Sequence, residues 1–139
     1  FGGEEAGSAG VLQTRGVSVL DSTFNAGGMG ALGFGAYWAG VDSGHSVEWR
    51  MRDQHEVKNT QLSNGGGVFG MIWQSQSAGR SARVYMSEQA RFSFTHSSLL
   101  SYSFFFVLMW EGKHSGSDAA VMIGRGGRWD INSSLITSS

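Results

Sequence analysis

In the segment VEWRMRD every second residue is apolar: Val47, Trp49 and Met51 alternate with Glu48, Arg50 and Arg52. Successive side chains of a strand point to opposite faces, so this period puts one face in a core and the other in water. A helix of 3.6 residues per turn would scatter the same residues around its axis. RFSFTH repeats the pattern with Phe92 and Phe94, and RWDIN with Trp129 and Ile131. RGVSVLDS, GVFGMIWQSQ, SARVYMS and DAAVMIG are shorter or less regular, but they are rich in β-branched and aromatic residues and bounded by Gly, Ser, Asn or Asp. With SYSFFFVLMW they predict about eight strands. The 22 glycines interrupt nearly every window of helical length, each at a cost of about 1 kcal/mol relative to alanine. Little or no helix is therefore expected, and Asp53 to Leu62 is the best remaining candidate for a short one. SNGGGV, QSAGRS and EGKHSGSD have turn compositions. The last predicts an antiparallel hairpin between Phe104–Trp110 and Ala119–Ile123, while residues 25–40 read as a bulged strand or a close-packed loop.

The run from Phe104 to Trp110 is apolar at every position. In strand geometry Tyr102, Phe104, Phe106, Leu108 and Trp110 share one face, read as core. Phe105, Val107 and Met109 share the other, read as a self-association face that a partner subunit covers. The run is far shorter than the roughly 20 apolar residues of a spanning helix, so insertion into a membrane is not expected.

At 139 residues the chain fits a single domain, expected to span residues 1–139, with 1–10 a flexible or partner-exchanged N-terminal segment. It has no cysteine, so disulfides and thiolate metal sites are excluded. A net charge of −1 with 15% charged residues gives no basic field for nucleic acid or anionic lipid. The chain opens on Phe1 without the charged and apolar regions of a signal peptide.

Motifs for chemistry are sparse. Gly28, Gly30 and Gly33 have dinucleotide-fingerprint spacing, but Phe34, Gly35, Ala36 and Tyr37 make a poor helix start, so a structural glycine loop is favoured and no cofactor is expected. Asp42, Ser43, His45 and Ser46 lie close together without a nucleophile elbow, and read as a turn. His45, His55, His96 and His114 include no pair with the helical spacing of a zinc site. Glu48, Glu88, Glu111 and Asp130 are candidate carboxylates for glycoside hydrolysis, a mechanism that depends on their separation. GMIWQ resembles the nucleophile strand of one cellulase family, with Phe69 in place of the glutamate, which implies that the nucleophile is missing. Tyr37 and Trp38 are the candidate residues for an exposed sugar-stacking platform.

From Arg91 to Ile131 the order of an aromatic strand, a serine-rich link, a strongly apolar strand, a turn and a strand ending in Gly-Arg-Gly-Gly resembles concanavalin-like and laminin-G-like jelly rolls. The resemblance implies a two-sheet antiparallel β-sandwich that binds or scaffolds more often than it catalyses. The expected function is that of a non-enzymatic structural protein, a homo-oligomer assembling through its sheet surfaces in a virion, surface filament or extracellular array. A carbohydrate-binding module or lectin is the alternative, and a small β-sandwich glycosidase the third reading.

Overall fold

The computed structural model describes residues 2–3, 6–25, 32–63, 65–100, 103–132 and 135–137. The chain winds as a four-faced coil. The first coil holds β1 (Val11–Arg15), β2 (Ser18–Leu20), β3 (Thr23–Asn25) and β4 (Leu32–Trp38). The second holds β5 (Glu48–Arg52), β6 (Gln54–Lys58), β7 (Gln61–Ser63) and β8 (Gly66–Gln74). The third holds β9 (Arg83–Met86), β10 (Arg91–Thr95), β11 (Ser98–Leu100) and β12 (Ser103–Glu111). A fourth begins with β13 (Ala120–Ile123), β14 (Arg128–Asn132) and β15 (Leu135–Thr137). Each strand pairs with its counterpart one coil away, giving sheets β1-β5-β9-β13, β14-β10-β6-β2, β15-β11-β7-β3 and β12-β8-β4, and every pairing is parallel. The fold is all-β, with no helix among the described residues, but it is a β-solenoid of about three turns. The expected antiparallel jelly-roll sandwich is not formed.

The reason lies in what connects the strands. Parallel neighbours need a long crossover, where antiparallel ones need only a tight turn. Here the crossover is a complete coil: Val11 pairs with Glu48, Glu48 with Arg83 and Arg83 with Ala120, at separations of 37, 35 and 37 residues. The short Gly/Ser/Asp links are corners between faces, not hairpins. EGKHSGSD therefore carries the chain from β12, which pairs with β8, to β13, which pairs with β9. The candidate helix from Asp53 to Leu62 is instead β6, a corner and the start of β7. Corner residues adopt left-handed backbone at matching places in successive coils: Ala9, Ser46, Ser81 and Asp118 (φ 53° to 59°), and Asp21, Asn59 and His96 (φ 48° to 50°). Asp and Asn tolerate this region better than most side chains, which accounts for part of their use at these corners.

In-register stacking fixes the core. Equivalent residues sit one strand spacing apart, about 4.8 Å, so flat side chains at one coil position must lie face to face. Trp38, Trp73 and Trp110 form one such column, with centroids 5.0 and 4.8 Å apart and planes within 7°. His55, Phe92 and Trp129 form another, at 4.7 and 4.4 Å. Gly44, Gly79 and Gly116 pass their corners across the indole column. A Cβ at Gly79 would sit 2.6 Å from Trp73 Cγ and 2.8 Å from Trp110 Nε1, at a φ of +67°. Strict alternation fails in β12, because Phe105 and Phe106, adjacent in sequence, both face the interior. Both rings approach Phe92 (6.2 and 5.8 Å) and Trp129 (5.6 and 5.5 Å). The ladder passes from Phe104↔Gly67 to Phe106↔Phe69 with no bridge between Val68 and Phe105, and the same break recurs between β4 and β8. It is a kink stacked through successive coils.

Within residues 1–10, the described part is bonded to the second coil. Gly44 N–H donates to Ala6 O (3.0 Å), Ala9 N–H to His45 O (2.9 Å) and Glu48 N–H to Gly10 O (2.9 Å).

Candidate functional site

At β13 and β14 the inward-facing columns reach solvent. In the third coil Val84, Met86, Phe92 and Phe94 are all buried. Their ladder partners one coil further, Val121, Ile123, Trp129 and Ile131, continue the same inward-facing columns yet are 39–59% exposed. Edge strands β13 and β14 thus carry the cross-section of the core to solvent. At the opposite end a cavity of about 380 Å³ opens between Gly7–Leu12 and β4, and reaches Ala36, Trp38, Val47 and Met71.

The residues expected to form a self-association face do not lie together at the surface. Phe105 is buried among Phe69, Phe92, Phe94 and Trp129. Val107 and Met109 are half-buried. The outward side of β8 is bare backbone at Gly67 and Gly70, and Val107 folds over both from one neighbouring strand while Leu32 reaches them from the other; a Cβ at Gly70 would be 2.4 Å from Val107 Cγ1 and 3.0 Å from Leu32 Cδ2. Of the opposite face, Phe106 packs against Trp49 at 5.6 Å, Phe104 is exposed, and Tyr102 lies outside the described residues.

Trp38 is 3% exposed and stacked on Trp73, so it offers no platform to a sugar. Tyr37 is half-buried, and its hydroxyl donates to Gln74 Oε1. Of the candidate carboxylates, Glu88 lies in the corner between β9 and β10 and the other three on separate sheets. Glu48 on β5 accepts from Arg50, Glu111 on β12 accepts from Gln74 Nε2 (2.8 Å), and Asp130 on β14 accepts from Arg128 Nε (2.7 Å), each on a different sheet. Gly28 and Gly30 lie outside the described residues, and Gly33 sits in β4. Ser43 donates to Gly40 O (2.6 Å) within the corner that VDSGHS predicted as a turn. Among the described residues no group of three His, Asp or Glu side chains is placed to hold a metal ion, and no helix is long and apolar enough to cross a membrane.

His55 is buried in its aromatic column. Its Nε2 lies 3.1 Å from Thr14 Oγ1, which also accepts from Trp49 Nε1 at 3.2 Å. Burial pushes the imidazole pKa below its ordinary value, and the Asp53 carbonyl and carboxylate offset this only in part. A neutral ring closing a three-residue polar link with Thr14 and Trp49 is a structural role.

No family model matches the chain, and no curated protein or solved structure is significantly similar to it. The open coil end escapes strand-by-strand reading of the sequence, although a signal for it exists. YWAGVDSGHSVEWRM, IWQSQSAGRSARVYM and MWEGKHSGSDAAVMI share Trp, Gly and alternating apolar positions at a spacing of 35 and then 37 residues, which is the self-similarity of a stacked repeat.

Proposed function

We propose that the chain is a non-enzymatic structural protein that self-associates edge to edge, with the first coil of one copy seated on the β13–β15 edge of another. The observation that carries this reading is the uncovered core at β13 and β14, where Val121, Ile123, Trp129 and Ile131 are exposed at positions buried in the coils below. A parallel edge with apolar columns is a template for a further parallel strand. The apolar cavity at the first coil gives the opposite end matching chemistry. The assembly surface is thus an edge, and not the outer face of the long apolar strand. Contact between unlike edges is heterologous and, stacked along one axis, extends into a filament, which suits an extracellular or virion-surface array.

Light scattering after gel filtration tests it. Wild-type mass should rise above the monomer with concentration, and Ile131→Lys should remain monomeric with unchanged circular dichroism, because a charge at the edge opposes stacking without entering the core. A wild type that stays monomeric up to its solubility limit refutes the proposal.

A further inference from the structure

We propose that the outer face of the β1-β5-β9 sheet is a binding site for an oxyanion of the sulfate or phosphate type, free or esterified to a sugar, gripped between Arg15 and Arg52. The two arginines are direct partners in the parallel register of β1 and β5. Their Cα atoms are therefore about one strand spacing, 4.8 Å, apart with both side chains on the solvent face. Like charges placed directly opposite on neighbouring strands are unfavourable, and sheets usually relieve them with an acid close by. Neither Arg15 nor Arg52 has such an acid: no described carboxylate makes a salt bridge to either. By contrast, Arg50 donates from Nε to Glu48 Oε2 at 2.9 Å. In the other in-register arginine pair, Arg91 with Arg128, Arg128 is tied to Asp130 at 2.7 Å.

The space around Arg52 is shaped for a ligand. On the β9 side of Arg52, away from Arg15, a groove of about 390 Å³ is lined by Arg50, Met51, Arg52, Tyr85 and Ser87. Arg50 and Tyr85 are ladder partners, and two residues further on Arg52 ends β5 and Ser87 follows the last residue of β9. Two planar guanidinium forks can each present paired N–H donors to a tetrahedral anion. Across the groove from Arg52, the Ser87 hydroxyl and the Tyr85 ring offer a donor and a wall to a sugar that bears the anion. Binding would neutralise the like-charge pair, so the protein should be stabilised by the ligand it holds.

Titration calorimetry at low salt with sodium sulfate, sodium phosphate and a sulfated oligosaccharide decides the matter, using wild type, Arg52→Gln and Arg15→Gln, with Arg80→Gln as control. Arg80 lies at a different corner, 3.8 Å from Asp42. The expected result is binding to wild type, a loss of tenfold or more in Arg52→Gln and Arg15→Gln, and a change within twofold in Arg80→Gln. Equal affinity for free ions and oligosaccharide identifies the free ion as the ligand, and binding of the oligosaccharide alone identifies the ester; both support the site. All three substituted arginines are exposed, and sulfate or the oligosaccharide should raise the melting temperature of wild type and Arg80→Gln but not of Arg52→Gln. No binding to wild type by any probe, or losses as large in Arg80→Gln as in Arg52→Gln, overturns the proposal.

Discussion

Val57, Phe94 and Ile131 occupy one column on β6, β10 and β14, and they offer a direct measure of how bare the last coil is. Phe94 is 1% exposed and packs on Phe105 at 5.2 Å; Ile131, one coil further, is more than half exposed. Phe94→Ala leaves a cavity enclosed by the coils on both sides, at a cost of about 3–5 kcal/mol. Fully burying an isoleucine contributes about 1.5–3 kcal/mol, so a half-buried Ile131, with no coil above it to leave a void, should cost about 1 kcal/mol when cut to alanine. With a urea slope of about 2 kcal/mol/M, the midpoint should fall by about 2 M for Phe94→Ala and about 0.5 M for Ile131→Ala. The measurement belongs at a protein concentration where light scattering reports a monomer. If Ile131→Ala then costs as much as Phe94→Ala, something within the chain covers the end and the columns do not stop where they are drawn. Repeating the titration at high concentration adds a second check, because a ligand that binds only the folded state stabilises it, by about 2.7 kcal/mol at a hundredfold excess over Kd. The wild-type midpoint should rise with concentration and that of Ile131→Lys should not.

Two further outcomes follow from the columns. Gly79→Ala should cost at least 2 kcal/mol, roughly the left-handed strain plus displacement of the stacked indoles at 2.6–2.8 Å, read as a lower melting temperature with a weakened near-ultraviolet tryptophan signal. His55 is held neutral by burial, so its folded pKa lies below the unfolded one and the unfolded state binds the proton first. Its neutral form keeps its full contribution above the unfolded value of about 6.5, and stability falls as the pH drops below it. The urea midpoint should therefore be lower at pH 5 than at pH 8, and His55→Phe should reduce that difference. An unchanged pH dependence in the variant would place the titration elsewhere.

Period-2 alternation in VEWRMRD, RFSFTH and RWDIN is a local signal, and it marks β5, β10 and β14 with their inward residues Trp49, Met51, Phe92 and Phe94 correctly assigned to the core. Gly, Ser and Asp clusters likewise mark the corners, since left-handed backbone restricts which residues turn there. Which strand lies beside which is not local. Alternation says that a strand has an inner face and an outer one, and it is the same whether the neighbour is antiparallel across a hairpin or parallel one coil away. Only the recurrence of Trp38, Trp73 and Trp110, at separations of 35 and 37 residues, distinguishes the two. Tertiary stacking also decided the faces of the long apolar strand, where the kink shared with β8 turns both Phe105 and Phe106 inward against the period. It decided the burial of Trp38, whose ring had to follow the column beneath it. The arginine pair on β1 and β5 depends on it as well: Arg15 and Arg52 are far apart in sequence, and the winding of one complete coil makes them neighbours.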